Sequence, residues 1–136
     1  MAETKKFAMV VSEGTFDKAM MSMMMGNTAA SMGIETHIFF TFFGLNLLKK
    51  GANPKMPGIY RFFTGMMKKK MKGIGIEGFQ EQLEMAKELG IKIYACSTSM
   101  EMMGIKKEDL IDGITVLGAA AFLNIATDAD MQLFIG

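Results

Sequence analysis

Short runs of apolar residues alternate along this chain with longer stretches whose apolar positions recur every three or four residues. Residues 7–11, FAMVV, carry no polar alternation and are bracketed by Lys5-Lys6 and by Ser12-Glu13-Gly14. Such a run suits a strand buried on both faces, as in a parallel sheet. Thr15 then offers a cap for a helix that runs to a glycine stop at Gly33. Its apolar positions fall on nearly every side, which predicts burial on more than one face. Residues 34–40, IETHIFF, read as a second strand, after which Thr41 and Gly44 mark a turn into a short helix ending at Lys49-Lys50-Gly51. Strand, helix and strand in close succession predict a right-handed crossover between parallel strands.

Residues 53–78 interrupt the pattern with both prolines, five glycines and the run MMKKKMK at 66–72. This is an insertion: a solvated basic face over a few core methionines, a mobile lid or docking surface, or a helix lying on a membrane. Residues 77–89 place Phe79, Leu83, Ala86 and Leu89 on one helical face, and Gly90 stops that helix. In the third strand Ile91, Ile93 and Ala95 alternate with Lys92 and Tyr94, and the strand ends at Cys96. Short helices follow at 100–103 and 107–111, then a strand at 114–117, a helix at 119–127 and a strand at 131–135. The alternation predicts the α/β class: one three-layer flavodoxin-like domain over residues 1–136, with a five-stranded parallel sheet in the order 2-1-3-4-5.

A chain of 136 residues can bury a core without disulfides or metals. Fifteen Lys and Arg against fourteen Asp and Glu leave a net charge of +1, so no global field points to nucleic acid as a partner. One cysteine excludes an internal disulfide, and with a single His it cannot make the usual Cys/His zinc set, so neither a metal nor a cofactor is expected. The apolar residues ahead of Ser12 and Glu13 are too few for a signal-peptide core. The longest apolar stretches, 38–48 and 114–126, are broken by Gly or Asn and fall short of the roughly 20 residues that cross a bilayer. A cytoplasmic protein without membrane association is the expectation. Seventeen methionines crowd mainly into 20–32 and 56–71, where a flexible thioether suits an irregular core or an adaptable surface.

The position of Cys96 gives it chemistry. It stands where a strand gives way to Ser97, Thr98 and Ser99, all capping residues, and unpaired N–H groups at a helix start stabilise a thiolate. The competing reading is a small buried hydrophobe. In the order 2-1-3-4-5, the first and third strands are neighbours with helices on opposite faces. The crevice then lies between the tip carrying Ser12, Glu13 and Gly14 and the tip carrying Cys96 to Ser99. Those residues become the candidate substrate- and anion-binding set, with Cys96 as the reacting group. Ser12-Glu13-Gly14-Thr15 is too short and too anionic to wrap a flavin phosphate. His37, the only candidate base for a serine hydrolase, lies inside a strand and reads as structural.

The segments SEGTFDKAM, FFTFFGLNLLKK, ACSTSMEMMGIKKEDLIDG and LGAAAFLNIATDADMQLFI together resemble the DsrE/DsrF/DsrH-like family of sulfur-relay proteins, most closely its DsrE-like branch. The resemblance implies a three-layer α/β fold, a homo-oligomer, and a cysteine, here Cys96, that holds sulfane sulfur and passes it to rhodanese-like and TusA-like carriers. Relatives are often labelled peroxiredoxin-like, but Ile93 stands where a peroxidatic cysteine needs Thr or Ser three residues ahead. Some relatives carry a second cysteine shortly after the first; Met102 and Met103 occupy that region here. Two other functions stay open on the residues alone: a non-catalytic interaction subunit, and a small-molecule binding module with a merely structural cysteine.

Overall fold

The computed structural model describes residues 4–136. The first three residues of the stretch weighed above for a leader lie outside the described residues. The strands are β1 (Lys6–Val11), β2 (Glu35–Phe40), β3 (Lys92–Cys96), β4 (Ile114–Leu117) and β5 (Met131–Ile135). The helices are α1 (Phe16–Ser31), α2 (Thr64–Gly73), α3 (Phe79–Glu88), α4 (Ser97–Met103) and α5 (Ala119–Thr127). Phe42–Leu48, Gly58–Phe63 and Lys107–Asp109 wind as 3-10 turns. Among the described residues no helix is long and apolar enough to cross a membrane.

Every strand pair is parallel, and the five strands form one sheet with helices on both faces, as the alternation predicted. The order, however, is β4-β3-β2-β1-β5 and not 2-1-3-4-5. Burial explains the difference. The expected order would leave β2 at an edge, yet β2 is the strand that buries Thr36 through Phe40 without a break and so belongs inside the sheet. The edges go instead to β4 and β5, which bury only Ile114 and Ile135. With β1 to β4 laid out in one direction, right-handed crossovers keep their helices on one face. The return from β4 to the far side of β1 runs the other way, which puts α5 on the opposite face.

The larger core lies under α1 and α3, where Phe7, Met9, Ile38, Phe40 and Ile93 meet Phe16, Met20, Met23 and Leu83. The smaller core lies under α5, where Phe122 packs on Ala8, Phe39, Tyr94 and Cys96. The rings of Phe39 and Phe122 stack with centroids 4.5 Å apart. α1 buries one face only: Ala19, Met20, Met23 and Asn27 point inward, whereas Met21, Met24 and Met25 are exposed. Its other faces, expected to be buried, therefore present thioethers to solvent.

The insertion is ordered, and Thr64 ties it together. Its hydroxyl donates to the Arg61 carbonyl (2.8 Å) and accepts from the Met56 N–H (2.9 Å). The insertion is fastened to α1 where the Phe16 N–H donates to the Lys55 carbonyl at 2.7 Å.

Candidate functional site

Strand alternation in β3 sends Ile93 and Ala95 toward α1, and Tyr94 and Cys96 toward α5. At Cys96 the backbone leaves the strand and enters α4, so the cysteine is the N-cap of that helix. Ser97 and Thr98 are exposed at the mouth, and Ser99 is buried behind the sulfur. The cysteine itself is only 6% exposed. In the resting geometry its side chain makes no capping bond, which leaves the N–H groups of the first turn of α4 as donors available to an anion.

The second wall comes from β2. The β2–β3 register pairs Phe40 with Ala95, and one further residue along sets Thr41 beside Cys96. Thr41 is fixed by its own N–H, which donates to the Val11 carbonyl at 3.0 Å, and by its carbonyl, which accepts from the Gly44 N–H at 2.9 Å. The loop after it packs so closely on the end of β1 that a Cβ at Gly44 would overlap the Val11 carbonyl oxygen. A Cβ at Gly14 would come within 2.6 Å of the Phe43 carbonyl oxygen. Phe42 makes the bend at φ 48°, a left-handed conformation that a non-glycine residue adopts at a cost.

The hydroxyls of Thr41 and Ser99 lie 2.8 Å apart. Either hydroxyl can donate to the other or turn its proton to the sulfur, and both stand within reach of Cys96. Burial pushes the Cys96 thiol up. The Ser99 hydroxyl, the Ser99 N–H, the Thr41 hydroxyl and the Thr98 N–H act against burial, and the balance holds the thiol below its ordinary range. The sequence-based expectation of a lowered value has the right sign, but its cause is the ring of local donors as well as the helix start.

Ser12, Glu13 and Gly14 do not join this group. β2 lies between β1 and β3, which separates their ends by two strand spacings, about 10 Å. The Ser12 N–H instead donates to the Ile135 carbonyl at 3.0 Å, and Gly14 packs against the loop after β2. The strand order reverses between β1 and β5, so the crevice expected between β1 and β3 does not form. His37 sits four residues before Thr41, about 13 Å back along the strand. Its Nδ1 bonds the Tyr94 hydroxyl (2.7 Å) and its Nε2 the Glu35 carboxylate (2.8 Å), a closed network away from the thiol. The residue missed from the sequence is Thr41. Its signal was a hydroxyl at the carboxyl end of a strand, the same sheet edge that carries Cys96.

Fold and site together define a class: three-layer parallel α/β proteins with a cysteine at the carboxyl end of the third strand. Within that class the chain belongs to the DsrE/DsrF/DrsH-like family, whose model matches residues 3–60 and 54–134. It is 34% identical to the sulfur carrier protein DsrE2 of Allochromatium vinosum, across 98% of this chain and 99% of that protein. It is 32% identical to the uncharacterized protein YrkE of Bacillus subtilis, across 98% of each. Among solved structures it resembles the ychN protein of E. coli with a TM-score of 0.64 at 15% identity, covering 97% of this chain and 99% of the other, a likeness of fold.

Proposed function

We propose that this protein carries sulfane sulfur on Cys96 and passes it between partner proteins. The observation that carries the reading is the set of donors around one thiol, the hydroxyls of Ser99 and Thr41 and the N–H groups of Thr98 and Ser99, which favour its anion despite burial. Similarity to a sulfur carrier over the whole chain supports the same reading.

In the loading step the Cys96 thiolate attacks the outer sulfur of a donor persulfide. The donor S–S bond breaks, its electron pair leaves on the donor thiolate, and the outer sulfur stays on Cys96 as a persulfide. The N–H groups at the start of α4 and the two hydroxyls hold the resulting anion, with the exposed Ser97 and Thr98 at the approach. In the unloading step an acceptor thiolate attacks that outer sulfur and Cys96 departs as a thiolate. A lowered pKa serves both directions, since it supplies the nucleophile at neutral pH and makes Cys96 a better leaving group. The partners in this proposal are rhodanese-like donors and TusA-like acceptors in the cytoplasm, and the working form is a homo-oligomer.

Intact-mass measurement after incubation with polysulfide or tetrathionate tests the proposal. Polysulfide should add whole sulfur atoms at Cys96. Attack on tetrathionate should release thiosulfate and leave a thiosulfonate on the same residue. Dithiothreitol should remove either adduct, and Cys96→Ser should stay folded and unmodified. Only irreversible sulfinic or sulfonic products would mark an ordinary oxidisable thiol. No adduct from any donor near neutral pH would leave the interaction-subunit function in its place.

A further inference from the structure

We infer that the turn Gly58–Phe63 together with α2 is a docking face for an anionic lipid surface. The near-zero net charge conceals a strong local imbalance. Between Glu35 and Glu77 the chain has no acidic residue, yet eight of its fifteen Lys and Arg lie there. Arg61, Lys68, Lys69, Lys70 and Lys72 fall within two turns and a short approach, and among the described residues no carboxylate pairs with any of them.

Apolar side chains project from the same surface. Ile59 is 74% exposed, Phe62 76% and Ile74 76%, values unusual for large hydrophobic groups on a water-facing surface. α2 turns Thr64 inward, and Lys68 lies over the Phe16 ring and bonds Asn53. With 3.6 residues per turn the opposite side of α2 presents Met66 between Lys69 and Lys70. The Arg61 guanidinium sits 5.1 Å from the centroid of the exposed Phe62 ring.

Two features favour a lipid interface over an acidic protein. First, the three most exposed apolar residues of this face line neither of the cavities beside them. One of those cavities, about 260 Å3, is walled by Met56, Tyr60, Phe63 and their neighbours. Ile59, Phe62 and Ile74 stand outside both cavities, as side chains that enter a headgroup layer must. Second, cations interleaved with aromatic and aliphatic tips match an interface whose acyl boundary takes the tips and whose anionic headgroups take the charge, with no shape to complement. No described helix can span a bilayer, so contact is confined to the interfacial plane.

The chain contains no tryptophan, so Phe62→Trp provides a single fluorescent reporter at the proposed contact. Mixed with vesicles of phosphatidylglycerol and phosphatidylcholine in equal parts, this protein should show a blue-shifted emission and sediment with the vesicles. Pure phosphatidylcholine vesicles should give little of either, and added salt should weaken the association. Lys69→Gln, Lys70→Gln and Lys72→Gln together should lower vesicle affinity by roughly a hundredfold, at about fivefold per lysine. Phe62→Ser with Phe63→Ser should lower it as well, and both variants should keep the wild-type circular dichroism and load sulfur on Cys96 as before. Equal partition into both vesicle types, an unshifted Phe62→Trp emission, or undiminished binding by the lysine variant would overturn the inference. So would a lysine variant that loses transfer to a protein carrier while the wild type ignores vesicles. Because Cys96 loading is read separately, failure here leaves the sulfur-carrier proposal intact, and the reverse also holds.

Discussion

A thiol that is almost covered yet faces four hydrogen-bond donors behaves differently from one that is only buried. At Cys96 the alkylation rate plotted against pH should show a midpoint below the value of about 8.5 for a free thiol. Ser99→Ala or Thr41→Val removes a donor from the anion and leaves the neutral thiol nearly unaffected, so either change moves the midpoint up and reduces the thiolate present at pH 7. A hydrogen bond to a charged acceptor is worth roughly 1.5–3 kcal/mol, so alkylation at pH 7 should slow by about tenfold or more in each variant. An unchanged midpoint in both would disconnect the hydroxyl pair from the sulfur. The place of Cys96 and of Ser97 to Ser99 where a strand gives way to a helix could be read from the sequence because capping residues after a strand are a local signal. Thr41 could not, because its role depends on which strand lies next to β3, and that is settled 55 residues away along the chain.

The elements themselves were largely legible. Residues 114–117, 119–127 and 131–135 form the strand, helix and strand that their apolar spacing predicts, and each glycine stop falls within a few residues of a helix end. Spacing reports which way a side chain faces but carries nothing about which edge of a strand meets which neighbour, so the order of equally apolar strands stayed hidden. The uneven burial of β2 against β4 and β5 is the physical determinant, and it becomes visible only when the strands are compared with one another. The loop after β2 is the element that converts strand order into a site. Gly44→Ala should push that loop off the Val11 carbonyl, lower the melting temperature by roughly 5–10 °C, and raise the Cys96 alkylation midpoint together with it. Lost stability without a change at Cys96 would show that Thr41 does not depend on this packing.

Across the whole molecule the two faces of the sheet are unequally covered. Among the described residues one carries α1, α3 and α4, while the other has only the nine residues of α5, with Leu123 exposed on that helix and Phe134 exposed beside it. An apolar surface left open in this way predicts self-association. Light scattering at micromolar concentration should give a mass above that of one chain, and Leu123→Arg with Phe134→Arg should return it to the monomer. A wild-type monomer throughout that range would exclude the homo-oligomer. The position of β5 has a kinetic consequence as well. β1 meets β2 across 29 residues, Lys6 to Glu35, but is tied to the start of β5 across 124, Lys6 to Asp130. Closing the longer loop costs about 1 kcal/mol more chain entropy, and it adds an edge strand that buries little in return. The first crossover unit should therefore assemble early and β5 should dock last. In hydrogen-exchange measurements the amides of 131–135 should open with the least free energy while those of β1 and β2 stay protected, which makes the chain's first and last strands, side by side in the sheet, the two ends of its folding order.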